Sequence, residues 1–308
     1  MKRKTTFACI IIMLTCVLLS ACSSDSSSSQ ADHSGDPRDP TPKVLTPTAD
    51  GTTVYQNDVA SIDASHPDQG YVMVSYSGSC EKVKLQITGP DQNHYTYLIS
   101  DRGNYNAFPL TAGNGSYSIQ VLENVGGDSY VVSLEQTIDV QLENEFLPFL
   151  YPNQYVYFTS DSATVAKGSE LAKDTWTDLE VVQNIYNYVT ENITYDTEKA
   201  ENVSYGYVPN VDETLSSGTG ICFDYAAIMT AMLRSQNIPT KLEVGYSGDA
   251  YHAWISTYID DKGWVDNIIE FDGDSWQIMD PTLAASNDKK AVKKYVGNGS
   301  NYVVKYSY

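Results

Sequence analysis

GTGICFDYAAIMTAMLRSQNIPTK, residues 218–241, sets a cysteine directly behind two glycines and ahead of a long apolar run. Positions 221–237 hold neither proline nor glycine, and Ala226, Met229 and Leu233 fall at helical spacing. The spacing predicts a buried helix ending near Asn237, with Pro239 beyond it. Cys222 then sits in the first turn. Unpaired backbone N–H groups and the helix dipole favour an anion there, which suits a thiolate. The glycines allow the backbone to approach a substrate carbonyl closely. The N–H of Cys222 is placed to donate to a developing oxyanion. Asp224, in the same turn, is placed to help tune the site, but reads more simply as a solvated first-turn carboxylate.

A thiolate nucleophile needs a base. His33 lies in a polar N-terminal segment, and His66 and His94 lie in a β-rich region, which leaves His252 in the C-terminal half. It falls in YHAWISTYI (251–259), a predicted strand whose period of two puts His252, Trp254, Ser256 and Tyr258 on one face. The base must be held in one tautomer by an acceptor. Asp280, in WQIMDPT (276–282), fits, because Pro281 forces an extended backbone before it. Cysteine, histidine and aspartate follow one another at separations of 30 and 28 residues.

This order resembles the transglutaminase-like superfamily, with papain-type cysteine chemistry, from about Val181 to Ala285. The resemblance is carried by ITYD (193–196), Leu215, GTGICFDYA (218–226), LRSQNIPTK (233–241), VGY (244–246), HAW (252–254), Trp264 and DPT (280–282). It implies an α+β papain-like core, with the cysteine at a helix N-terminus packed on an antiparallel sheet. It makes Cys222 the nucleophile, His252 the general base and acid, and Asp280 the residue that orients His252. It offers Tyr205 and Tyr207 as oxyanion or substrate contacts, against an exposed aromatic packing role, and Trp254 as a wall against water or a core residue. It brings no cofactor and no metal site. The segment VDNIIEFDGDSW (265–276) is longer than the family pattern and is placed to line the cleft.

Ahead of this core the sequence changes character. Runs at 71–76, 82–88, 95–100, 116–123 and 130–142 are rich in β-branched and aromatic residues, with glycine-bearing turns between them. They predict a small all-β sandwich, immunoglobulin-like in architecture, over residues 51–145. The transglutaminase-like domain then occupies 146–308. Thr177 with Glu180 forms a capping-box pattern, and Leu179, Val182, Ile185, Val189 and Ile193 follow as one apolar face.

The N-terminal residues carry Lys2, Arg3 and Lys4, then an apolar run from Phe7 to Leu19, then Leu19-Ser20-Ala21-Cys22. This reads as a lipoprotein signal over 1–21 with Cys22 as the lipidated residue. A Ser-, Asp-, Pro- and Thr-rich tether over 22–50 would follow, with a reach of about 30 Å. The expected location is the extracellular face of a bacterial membrane. The formal charge of −20 becomes −23 once the three leader cations leave with no acid. So acidic a chain is repelled by nucleic acid.

Of five cysteines, Cys80 and Cys222 remain once Cys9, Cys16 and Cys22 are set aside, so a disulfide between them is one alternative. A metal hydrolase is disfavoured, because no histidine cluster stands at ligand spacing. The chemistry expected is acyl transfer on peptide or protein amides through a thioester, ending in crosslinking or hydrolysis. The alternative is a non-enzymatic surface module that keeps the fold as a scaffold. Tyrosine is frequent, 24 residues, which suits either polysaccharide or peptide contact or simple strand formation.

Overall fold

Alternation of buried and half-buried residues marks strands in the first half of the chain; Val83–Thr88, for example, buries Val83, Leu85 and Ile87 and turns Lys84, Gln86 and Thr88 outward. The computed structural model describes residues 35–260, 262–265, 269–271, 276–278 and 302–308. Its first strands are β1 (Val54–Gln56), β2 (Ala60–Asp63), β3 (Tyr71–Tyr76), β4 (Val83–Thr88), β5 (His94–Leu98), β6 (Asn106–Pro109), β7 (Gly115–Gly126) and β8 (Ser129–Val140). They form two four-stranded antiparallel sheets, ordered β1-β2-β3-β6 and β5-β4-β7-β8. Ile62, Val72, Val74, Leu85, Ile87, Phe108, Ile119 and Val121 are buried together between them.

Helices dominate the next stretch. They are α1 (Ala163–Leu171) and α2 (Asp178–Asn192), then, after the short strand β9 (Thr194–Tyr195), α3 (Thr197–Asn202) and α4 (Val211–Ser217). The capping box at the head of α2 is formed: Thr177 Oγ1 accepts from Glu180 N at 3.2 Å, and Glu180 Oε2 accepts from Thr177 N. Ile193 leaves the helix as its C-cap in extended conformation, so the apolar face ends one turn earlier than its spacing predicts. Next, β10 (Thr219–Gly220) pairs in parallel with β9, bringing ITYD beside GTG just ahead of α5 (Cys222–Ser235).

The sheet under α5 comes last. β11 (Thr240–Ser247) and β12 (Ala250–Ile259) make a hairpin, flanked by β13 (Gly263–Val265) on one side and β16 (Tyr302–Ser307) on the other, all antiparallel. β14 (Ile269–Phe271) pairs antiparallel with β15 (Trp276–Ile278), the first lying in the long 265–276 segment and the second beginning at its last residue. The architecture is thus α+β: a helix bearing the cysteine lies on an antiparallel sheet, behind a small all-β sandwich. Among the described residues, no helix is long and apolar enough to cross a membrane.

Residues 36–50, which composition assigns to the tether, are bound to the helical core. Arg38 N donates to Thr175 O at 2.7 Å, Lys43 N donates to Ser235 O at 2.8 Å, and the Arg38 guanidinium pairs with Asp178 at 2.7 Å. Main-chain hydrogen bonding, which composition does not encode, holds this polar segment down.

Every residue of α5 from Asp224 to Ser235 is buried. Arg234 is 1% exposed, and its guanidinium donates to Thr240 O at 2.9 Å, Tyr151 O at 2.6 Å and Tyr308 O at 2.7 Å. Burial pulls its pKa down to about 9, which still leaves it charged at neutral pH. One side chain therefore ties the end of α5 to β11, to the segment after the sandwich and to Tyr308. Arg234→Met should destabilise the protein by about 3 kcal/mol or more, since three buried carbonyls lose their donors. An unfolding free energy from urea titration within about 1 kcal/mol of the parent would contradict this assignment.

Candidate active site

The polypeptide reaches Cys222 through two glycines with separate duties. Gly218 takes the left-handed conformation, φ 64°, that ends α4. Gly220 leaves room for a carboxylate: a Cβ there would stand 2.7 Å from Asp224 Cβ. The predicted close approach to a substrate is thus, at these glycines, a close approach to the protein's own chain.

Asp224 is not solvated. It is fully buried, and its Oδ2 accepts from Ile221 N at 2.9 Å, closing the N-terminus of α5. Tyr207 Oη donates to Oδ1 at 2.5 Å, and Lys199 Nζ donates to Oδ2 at 2.7 Å and to Tyr207 Oη at 2.6 Å. A buried carboxylate beside a nucleophile would oppose formation of a thiolate; the ammonium of Lys199 offsets that charge. Burial alone would lower the Lys199 pKa, but its bonds to Asp224 and Tyr207 outweigh burial and raise it. Burial, joined by the bond to Asp224, pushes Tyr207 up to about 12.

A cavity of about 350 Å³ opens at this end of the helix. Cys222 and His252 both line it, as do Tyr205 and Tyr207. Cys222 is the first residue of α5 and half-buried; His252 stands near the turn that joins β12 to β11, opposite Gly245 of β11, and is also half-buried. Both Cys222 and Cys80 are free thiols, so the disulfide alternative is not formed. Asp280 lies outside the described residues. Tyr205 is 79% exposed at the cavity wall. The one hydroxyl proton of Tyr207 is directed to Asp224, which leaves its oxygen a structural rather than an oxyanion-binding role in this arrangement. Trp254 is 1% exposed and donates Nε1–H to Glu243 Oε2 at 2.8 Å; Ser256 Oγ donates to the same oxygen at 2.7 Å. It is a core residue that holds β12 to β11, with its ring centroid 6.3 Å from that of His252. Among the described residues, no three His, Cys, Asp or Glu side chains gather as a metal site requires.

Several wall residues carry no signal in the local sequence. Thr96 and Leu98 come from β5 of the sandwich, Gln154 and Tyr155 from the connecting segment, and Tyr308 from the end of β16. They are brought in by packing between layers, which no local pattern announces. Lys199 is likewise invisible, 25 residues ahead of its partner, although an acid at the third helical position was itself a capping signal.

Comparison with known proteins bears on residues 166–267, which match the family model described as the transglutaminase-like superfamily. UPF0252 protein MJ1282 of Methanocaldococcus jannaschii is 30% identical over 96 residues, a match that covers 27% of this chain and 27% of that protein. The chain thus spans about a quarter of that relative's length. Among solved structures, a candidate cysteine protease of Cytophaga hutchinsonii is 17% identical, covering 75% of this chain and 69% of the other with a TM-score of 0.35. Red sea bream transglutaminase is 14% identical, covering 71% and 48% with a TM-score of 0.28.

Asp224→Asn should cost about 2 kcal/mol at pH 7, less than a fully buried pair because Lys199 keeps 32% of its side chain in water. The sign with pH follows from Lys199. Its folded pKa is raised above the ordinary lysine value of 10.5, so the pair's stabilisation is present below that pH and lost as pH rises through the folded value. Denaturant curves should show parent and variant converging above about pH 10.5; a gap that widens there would contradict the assignment.

Proposed function

We propose that the chain is a cysteine-dependent acyl-transfer enzyme acting on peptide or protein amides, a reading supported by the match of residues 166–267 to the transglutaminase-like superfamily model. The observation that carries this reading is that Cys222, at a helix N-terminus, and His252, on the strand beneath, line one cavity. Cys222 Sγ, having given its proton to His252, attacks the amide carbon, and the carbonyl oxygen takes up charge that the Cys222 N–H is placed to meet. His252 returns the proton to the departing amine, leaving a thioester on Sγ. An incoming amine or water, deprotonated by His252, then attacks the thioester and frees the thiol. Asp280 is the residue proposed to orient His252. An amine acceptor gives a crosslink; water gives hydrolysis.

The location proposed is the outer face of a bacterial membrane, through acyl groups on Cys22. The acidity of the chain supports a role away from nucleic acid and from anionic headgroups.

The test uses an unfolded protein substrate such as casein, with a fluorescent primary amine present. Amine incorporation or new peptide termini should appear with the parent chain, and Cys222→Ala and His252→Ala should each lower the rate at least a hundredfold. Equal turnover by the parent and Cys222→Ala would sink the proposal; binding of casein without turnover would favour the scaffold reading. For location, Cys22→Ser should move the protein from the membrane to the soluble fraction, and retention at the membrane would overturn the lipid-anchor assignment.

A further inference from the structure

β5 is an edge strand. In the order β5-β4-β7-β8 it pairs, among the described residues, only with β4. Antiparallel ladders alternate between residues that bond inward and residues whose main-chain groups point the other way. Ile99 N donates to Val83 O at 3.0 Å, which fixes the phase: Ile99, Tyr97 and Tyr95 bond toward β4. The main-chain groups of Thr96 and Leu98 therefore point away from the sheet, and these two residues line the cavity that Cys222 and His252 line.

That edge is open. Among the described residues, neither the N–H nor the C=O of Thr96 has a partner on that side, nor does the N–H of Leu98. Leu98 O accepts from Gln154 Nε2 at 2.6 Å, so a side-chain carboxamide already stands where a peptide N–H would. The other end of that carboxamide, Gln154 Oε1, is buried and has no partner among the described residues. Edge strands are ordinarily blunted by lysine, proline or a bulge. HYTYL has neither residue, and its register with β4 runs unbroken.

We propose that a polypeptide substrate docks in extended form along the edge of β5, adding a short strand beside Thr96 and Leu98 and so carrying its amide to Cys222. The inference rests on the acyl-transfer reading above. A polypeptide is the occupant because the open groups are main-chain donors and acceptors repeated at every second residue, the spacing of a strand. The volume of about 350 Å³ sets the docked segment at a few residues. Tyr155, Val203, Phe223 and Tyr251 line the same space, so apolar or aromatic side chains on the docked segment fit it. The sandwich is then part of the substrate site rather than a spacer.

The experiment compares two alkylating agents on the full chain, read at the Cys222 peptide by mass spectrometry. The peptide probe is acetyl-Val-Tyr-Val chloromethyl ketone, whose carbon bonds to Sγ as chloride leaves; iodoacetamide is the small probe. Thr96→Pro removes the outward N–H together with the Oγ1 that accepts from Gln86 Nε2 at 3.4 Å, the latter being the part Thr96→Ala removes alone, and proline suits an edge strand. It should slow the peptide probe about fivefold to tenfold, the effect of a lost main-chain hydrogen bond, and leave iodoacetamide unchanged. Thr96→Ala should change neither. On the unmutated chain, methylating the probe's amide nitrogens one at a time should give a similar loss at one position. A peptide probe no faster than acetyl-Val chloromethyl ketone, or indifferent to N-methylation, would overturn the docking proposal. Slow iodoacetamide alkylation that His252→Ala leaves unchanged would overturn the nucleophile reading itself, and the docking role with it.

Discussion

Helix α5 is buried along nearly its whole length, so each polar group it carries into the interior must be answered from elsewhere in the chain. Asp224 and Arg234 are the two charged groups so carried, one near each end. Asp224 is met by Lys199, by Tyr207 and by the N–H of Ile221. Arg234 is met by carbonyls from β11, from the segment after the sandwich and from Tyr308. Neither charge can be left unpaired without a cost of several kcal/mol. The helix is thereby fixed in register against everything that surrounds the cavity. Cys222 inherits that fixity, since it is adjacent to the N–H that Asp224 captures.

The same bonds build the walls. Lys199 and Tyr207 belong to the stretch that forms one side of the cavity, so the bond that neutralises Asp224 also draws that stretch onto the helix. At its far side, Gly206 adopts φ 81° and leaves no room for a Cβ against Leu98 of β5. The stretch is thus held between α5 and the sandwich. On the opposite wall, the buried Glu243 accepts from Trp254 and Ser256 and holds the hairpin that presents His252. A cavity bounded this way has a Cys222 side set by electrostatics and a β5 side set by sheet packing.

Much of this was legible in the residues. The apolar spacing after Gly220 and the lack of proline and glycine gave α5 to within two residues of its end, because a fully buried helix has few alternatives. Alternation gave β3 at its observed bounds, and the Thr177–Glu180 pair marked the start of α2. Short strands such as β1 and β6 escaped, being three and four residues long with little periodicity to read. In the site, Cys222 and His252 stood out by residue type and context and share one cavity. Asp224 was misread because its solvation depends on Lys199 and Tyr207, whose approach is a tertiary event. The contribution of β5 escaped for the same reason: Thr96 and Leu98 carry no reactive group, and their relevance lies in main-chain direction and in which layers meet.

The central claim is that the helix terminus and His252 together activate Cys222. The most direct measurement is the rate of iodoacetamide alkylation at Cys222 against pH, read by mass spectrometry, for the parent chain and for His252→Ala. An activated Cys222 should alkylate fast well below pH 8.5, where an ordinary thiol is mostly protonated, and should lose that reactivity with His252→Ala. A profile like that of a free thiol, unchanged by the histidine substitution, would contradict it.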